Sequence, residues 1–385
     1  MKFDLLVVGT GPVGCAVACA VPGLSVALVG RQSPNLEPDP ELDPRVYTLS
    51  PGNVAFLRET GAWAAVPEQR RTPVYAMKVF GDDGRSQIEF DAYRAGVPEL
   101  AWTVEDAVLQ AALAQNALRH RSVTLFAPAQ CESLRIDDAC ALLSLADGRE
   151  LSARLVIGAD GAQSFVRGSA GIGVQSRDYG QTALVADFKC EKPHRNTAFQ
   201  WFQGGGVLAL LPLPGDHVSA VWSLPADAAE RIAAFEPQAI AREVEAASQH
   251  TLGSMSLVSD SRTYPLRRLS ARRLVAPRVA LVGDAAHVVH PLAGQGLNLG
   301  FQDARELVSV LAGREPMRDL GEQRLLRRYE RNRAEPILAM QVMVEGLFRL
   351  FGATGPSVSR LRNAGLNLTN RLPVLKNLLM REAMR

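Results

Sequence analysis

The chain has 385 residues, 47% of them hydrophobic and 21% charged, with a formal net charge of +2. That is ample apolar material for two packed domains, and the near-neutral balance excludes a nucleic-acid binder that works by bulk electrostatics. The five cysteines, Cys15, Cys19, Cys131, Cys140 and Cys190, form no C-x-x-C pair and suggest no disulfide framework, so a reducing cytoplasm is expected.

The N-terminus opens with Met1–Asp4 and four apolar residues, a first strand too short for a signal-peptide core. Leu5–Val8 then runs into Gly9-Thr10-Gly11-Pro12-Val13-Gly14, and a small-residue helix follows from Cys15 to Ala20. This G-x-G-x-x-G spacing has a mechanism. Gly9 makes the tight turn, Gly11 lets a pyrophosphate approach the backbone, and Gly14 lets the helix pack closely. Cys15 and Cys19, one helical turn apart, read as small core residues. The second strand, Ser25–Val29, should end in an acid that accepts from a ribose hydroxyl. Here that position is Gly30, followed by Arg31, so the contact is either missing or supplied from elsewhere, for example by Glu37 or Asp39 in the following loop.

Farther along, Trp102–Arg119 has helical periodicity, and Val123–Ala127 and Leu151–Ala159 read as strands. Leu155–Arg167 is another apolar strand ending in Gly/Ala/Asp/Gly, with Ser164 placed to cap the next segment. Val207–Pro212 and His217–Leu224 alternate about a Pro-Gly-Asp turn at 214–216, the pattern of a hairpin. Glu230–Ser248, Gln323–Phe351 and Ser357–Met384 are predicted helices. The segment from Arg324 to Arg385 holds twelve Lys/Arg and four Asp/Glu, a charge of +8, which leaves −6 for the rest. Such a basic tail fits an acidic surface, either a membrane face or the protein's own body. No run of about 18 apolar residues exists to span a bilayer.

The most informative stretch is Val279–Asp303. A buried strand breaks at Gly283-Asp284, turns through His287–Pro291 and enters a helix through Gly294-Gln295-Gly296-Leu297-Asn298. Asp284 can accept from a sugar hydroxyl, and the helix start offers free N–H groups and a positive dipole end. That suits a nucleotide cofactor carrying a polyol and an electron-accepting ring. His287 and His290 have H-x-x-H spacing, but no third ligand cluster lies near, so no metal is expected. No Ser/His/Asp triad or meaningful carboxylate pair appears, and no side chain is singled out as catalytic. A bound redox cofactor fits that absence, because the cofactor would carry the difficult step.

In this order the three glycine-containing motifs resemble the single-component FAD-dependent aromatic hydroxylases. The run His290–Asp303 is similar to the signature of the ubiquinone-biosynthesis hydroxylases among them. Asp43–Ser50 resembles that family's aspartate–arginine–leucine–serine segment. Val104-Glu105-Asp106 resembles its valine–glutamate–asparagine helix start, with Asp106 in place of Asn. Leu208–Pro212, Val221-Trp222 and Leu361–Leu366 fit as well.

The resemblance implies an α/β fold: a Rossmann-like FAD-binding domain, a mixed β-sheet substrate domain and C-terminal helices. The FAD-binding parts are expected at 1–72, 101–178 and 267–322, the substrate domain at 73–100 and 179–266, and the C-terminal helices at 323–385. It places Gly9, Gly11, Pro12, Gly14, Arg45, Asp160, Gly283, Asp284, Pro291, Gly294, Gln295, Gly296, Leu297 and Asn298 at the FAD. Arg45 would meet a pyrophosphate or ribose, where a planar, always-charged donor fits. Only one G-x-G-x-x-G is present, so NAD(P)H is expected as a transient reductant. One atom of O2 would pass to the ring of a polyprenylated phenol on the way to ubiquinone. Tyr47, Trp201, Phe202 and Trp222 are either core or the lining of a pocket for the prenylated ring. The implied partners are that substrate, O2, a peripheral membrane contact and pathway enzymes. Two alternatives keep the fold, a hydroxylase of a soluble aromatic and a non-catalytic scaffold. A flavin halogenase does not fit, because Trp201 and Trp222 are isolated.

Overall fold

The computed structural model describes residues 1–38, 42–83, 86–203, 205–290 and 295–352, the side chains of 351 and 352 excepted. Its first sheet has a parallel centre. Strands Val279–Leu281, Glu150–Gly158, Lys2–Val8, Val26–Val29 and Val123–Phe126 lie side by side in that order. They are near-continuous apolar runs because both faces are covered. Helices Pro12–Cys19, Asp106–Arg119 and Gly296–Ala312 pack together over this sheet. Cys15 and Cys19 are buried there as free thiols, as expected.

The second sheet is mixed, with strand order His287–Val288, Arg262–Ala271, Val174–Cys190, His217–Pro225, Gly206–Pro212, Thr197–Gln203, Ala76–Phe80 and Gln87–Asp91. The expected hairpin is present, with Gly206–Pro212 antiparallel to His217–Pro225. One face of this sheet packs under helices Ala226–Ala233 and Pro237–Ala247 around Phe188, Trp201, Leu208 and Trp222. A small antiparallel sheet of Val46–Leu49, Ala101–Glu105 and Arg71–Val74 joins the two parts.

Two boundaries differ from the sequence reading. The helix expected over 102–119 begins at Asp106, because Trp102, Thr103 and Val104 alternate as a strand between two partners. The helix expected over 230–248 is two helices, because Pro237 cannot continue the first and instead opens the second. The last helix runs from Gln323 to Gly352 with Pro336 inside it. The helix predicted over 357–384 lies outside the described residues.

Candidate active site

Strand register builds the site. Val8 pairs with Gly158, and Gly158 pairs with Leu281, so three strands end at one level. The three turns foreseen from sequence therefore emerge side by side at the carboxyl edge of the parallel sheet, where open α/β sheets bind ligands. Gly9 sits at φ +120°, and a Cβ there would lie 2.1 Å from the Ala159 carbonyl oxygen. A Cβ at Gly14 would lie 2.0 Å from the Gly9 carbonyl oxygen. Only glycine fits either position. Gly11 is the opposite case, because nothing lies within 4 Å of its Cβ position and the residue faces open cavity.

Two helix N-termini converge on this cavity. Helix Pro12–Cys19 starts at Gly11, and helix Gly296–Ala312 starts at Gln295. Neither has a side-chain cap or an acidic residue in its first turn. Elsewhere Ser50, Asp91 and Ser164 cap their helices in the usual way. Bare N–H groups and two positive dipole ends aimed at one space suit a diphosphate. The donor set and the room left by Gly11 thus fit a dinucleotide-type flavin.

The cavity has a volume of about 630 Å³. Its cofactor-side wall includes Pro12, Arg45, Gly283, Asp284, Gln295, Gly296 and Leu297. Asp284 lines the cavity and is exposed to that space, but protein packed around the cavity still desolvates its carboxyl. Burial pushes its carboxyl above the ordinary range, against the pull of His287, Arg45 and Arg267. Arg45 lies 3.7 Å from Asp106 and 5.4 Å from the Tyr47 ring centroid, with about half of its side chain exposed. It is a cavity cation, not a free surface arginine. Arg167 braces two of the turns, donating to the carbonyls of Ala285 at 2.9 Å and Ala162 at 2.8 Å.

Two expected residues stand differently. The Asp160 side chain accepts from Val166 N at 3.1 Å and so caps a short helix instead of lining the cavity. Asn298 is turned away from the cavity. Its Oδ1 accepts from Ser50 N at 2.9 Å and from Asn53 Nδ2 at 2.8 Å, and its Nδ2 donates to Thr48 O at 2.7 Å. It thereby ties the helix start to the Asp43–Ser50 segment. Pro291 and Gly294 lie outside the described residues.

The two histidines are not paired. His287 Nε2 lies 2.7 Å from Asp303, which also accepts from Gly283 N at 3.0 Å and Arg333 Nε at 2.7 Å. His290 Nε2 lies 2.9 Å from Gln181 Oε1, and its ring packs on Tyr179 and Phe348. No group of three metal-ligating side chains occurs among the described residues. The Asp303 hub and the Arg167 brace carried no signal in the sequence, because each joins residues far apart in the chain.

The facing wall is the second sheet. Ala183, Val185, Gln200, Ala209, Leu211 and Val221 line the cavity. Alternation puts Leu184, Trp201, Leu208 and Trp222 on the opposite face, in the core under the helices. Phe202 is buried in a third cluster with Val344. Of the four aromatics considered for the pocket, only Tyr47 lines it. At the second strand, Gly30 does not offer an empty ribose site, because a Cβ there would lie 2.4 Å from Thr10 Cγ2. Glu37 is exposed in the loop beyond, and Asp39 lies outside the described residues.

The comparisons agree with this geometry. The FAD binding domain family matches residues 2–343. Ubiquinone hydroxylase UbiL of Rhodospirillum rubrum is 34% identical over 384 residues, covering 99% of this chain and 89% of that protein. The 3-demethoxyubiquinol 3-hydroxylase of Escherichia coli is 33% identical, covering 99% and 98%. The ubiquinone biosynthesis monooxygenase COQ6 of Danio rerio is 31% identical, covering 98% and 89%. Among solved structures, pqsL of Pseudomonas aeruginosa, a probable FAD-dependent monooxygenase, has a TM-score of 0.80 at 23% identity and covers 95% and 99%. HpxO of Klebsiella pneumoniae, solved with FAD and uric acid, has a TM-score of 0.76 at 18% identity and covers 100% and 97%. At those identities the structures establish the fold. The chain belongs to the FAD-dependent aromatic-ring monooxygenases, in the family of ubiquinone-biosynthesis hydroxylases.

Proposed function

We propose that this protein hydroxylates the ring of a polyprenylated phenol in ubiquinone biosynthesis, with FAD bound, NAD(P)H as transient reductant and O2 as the oxygen source. One observation carries the reading: a single cavity has a wall of turns and helix ends on one side and an apolar sheet face on the other. FAD, when bound, accepts the hydride and activates oxygen. The chain supplies the rest. The turn at Gly11 and Pro12, shaped by Gly9 and Gly14, would hold the diphosphate together with the N–H groups of Gln295–Leu297. Arg45 adds a fixed positive charge, and Asp284 would accept from a sugar hydroxyl. Ala183, Val185, Ala209 and Val221 would orient an apolar ring and keep water from it. The test is deletion of the gene and mass spectrometry of the accumulated quinone precursors. Accumulation of a prenylated precursor lacking one ring hydroxyl is expected, and an unchanged quinone profile overturns the assignment.

Peripheral membrane contact through the last helix belongs to the same reading, since a polyprenyl chain resides in lipid. Leu338, Val342, Met343 and Leu350 are exposed on that helix, with Arg331 and Arg349 also on it. No helix among the described residues is long and apolar enough to cross a membrane. Flotation with anionic vesicles at low salt should carry the protein upward, and its absence rejects this contact.

A further inference from the structure

The cavity-facing row of strand Val174–Cys190 continues beyond Ala183 and Val185 to Asp187. Its strand partner is Ser219, two residues from the cavity-lining Val221. Asp187 is fully buried, and neither carboxylate oxygen meets hydrogen-bond geometry with a partner, although the Ser219 hydroxyl lies close enough to act on its proton. A buried, unpaired carboxylate costs several kcal/mol, so such a group keeps its proton instead. The charged groups near it are Asp43 and Glu105, both of its own sign. Each already has an arginine: Glu105 pairs with Arg70 at 2.7 Å, and Asp43 with Arg262 at 3.7 Å. Burial, opposed by the Ser219 hydroxyl and reinforced by Glu105 and Asp43, raises the Asp187 pKa to about 7.

Ser219 shows what the proton controls. Its hydroxyl donates to the Pro44 carbonyl at 3.3 Å. Pro44 is buried and directly precedes Arg45, Val46 and Tyr47, all of which line the cavity. We propose that Asp187 is a proton-dependent positioning residue. As the neutral acid it donates to Ser219 Oγ, leaving that hydroxyl to hold Pro44, and with it Arg45 and Tyr47, against the cavity. As the anion it takes the Ser219 hydrogen for itself and releases Pro44, the proton passing to solvent. The inference rests on the reading of this cavity as the FAD site.

The test compares wild type, Asp187→Asn and Ser219→Ala. FAD affinity is read by flavin fluorescence, and the melting temperature of the FAD-free protein is followed from pH 5 to pH 9. Losing one neutral hydrogen bond to the segment should weaken wild-type FAD affinity about fivefold as pH rises through 7, equivalent to roughly 1 kcal/mol. Asp187→Asn, which always donates, should keep the acid-side affinity throughout. Ser219→Ala should show the weaker affinity throughout.

Because the folded-state pKa lies above the unfolded value of 3.8, ionisation penalises the folded state as pH rises from about 4 to about 7. The wild-type melting temperature should therefore fall across that window relative to Asp187→Asn and run parallel to it above. A pH step in affinity that persists in both variants, or wild-type and Asp187→Asn melting curves parallel at every pH, overturns the proposal. If wild type binds no FAD at all, the hydroxylase reading fails, and the melting curves alone decide whether Asp187 titrates.

Discussion

The wall that carries Gly9–Gly14 and Gly283-Asp284 is made of backbone, whereas the wall that carries Ala183, Val185, Ala209 and Val221 is made of side chains. The first presents N–H groups and helix ends at fixed positions. It has no room for added atoms where strand meets helix. The second is a β-sheet face whose residues can be exchanged without moving the chain. A cofactor common to a family suits the first kind of wall, and a substrate that differs among members suits the second.

The largest contrast should come from adding one carbon to each wall. Gly9→Ala places a Cβ against the Ala159 carbonyl at a φ that L-residues rarely adopt. We expect a loss beyond about 4 kcal/mol, the exceptional range for a point change, and protein purified without flavin. Ala209→Val, on the sheet wall, should cost no more than about 1–3 kcal/mol. Denaturant unfolding of both variants checks this, and equal losses would erase the distinction between the walls.

The next effect separates the two faces of the sheet. Trp201 is fully buried on the far face, stacked on Phe80 with centroids 5.3 Å apart. Trp201→Ala should cost about 3–5 kcal/mol in stability. It should leave KM for the aromatic substrate nearly unchanged in the folded fraction. Ala209→Leu should do the reverse, raising KM with little loss of stability. If Trp201→Ala alters KM more than Ala209→Leu, the phase of the sheet is misassigned.

That phase marks where the sequence stopped being informative. The glycine turns were legible because their constraints are local: a turn, a close approach and a helix start follow one another within six residues. Alternation in Val207–Pro212 and His217–Leu224 was also legible, but a period of two fixes the faces only relative to each other. Which face meets the cavity depends on helices Ala226–Ala233 and Pro237–Ala247 covering the other. Trp201 and Trp222 therefore looked as eligible for the pocket as Tyr47. The Asp303 and Asn298 contacts were hidden for a related reason. They tie Gly283 to Arg333 and Ser50 to the last Rossmann helix across long stretches of chain.

A smaller effect tests the cofactor wall by side chain rather than backbone. Asp284→Ala removes a cavity carboxylate whose nearest charged influences are His287, Arg45 and Arg267. Loss of a charge-assisted hydrogen bond of roughly 1.5–3 kcal/mol should weaken FAD by about ten- to a hundredfold. The fold should remain intact, because the Gly283–Asp303 contact is made by backbone N–H. Fluorescence titration showing unchanged affinity would remove Asp284 from the site.

The smallest predicted effect concerns the position where this chain lacks the acid that dinucleotide folds place after the second strand. Gly30 is an extended strand end, held by Gly30 N donating to Phe126 O at 3.0 Å and by Ala129 N donating to Gly30 O at 2.8 Å. A Cβ there would lie 2.4 Å from Thr10 Cγ2 and 2.5 Å from Thr10 Oγ1. Thr10 belongs to the glycine turn itself, so the space that an acidic side chain would cross is filled from the cofactor wall. Gly30→Ala should then destabilise by about 1–3 kcal/mol through overpacking. In a Thr10→Ala background, which deletes both close atoms, the same change should cost about 1 kcal/mol less. The coupling is measurable because the residues touch. Additive effects in that cycle would mean that Thr10 does not fill the site, and an acid introduced at position 30 would again be free to reach a ribose.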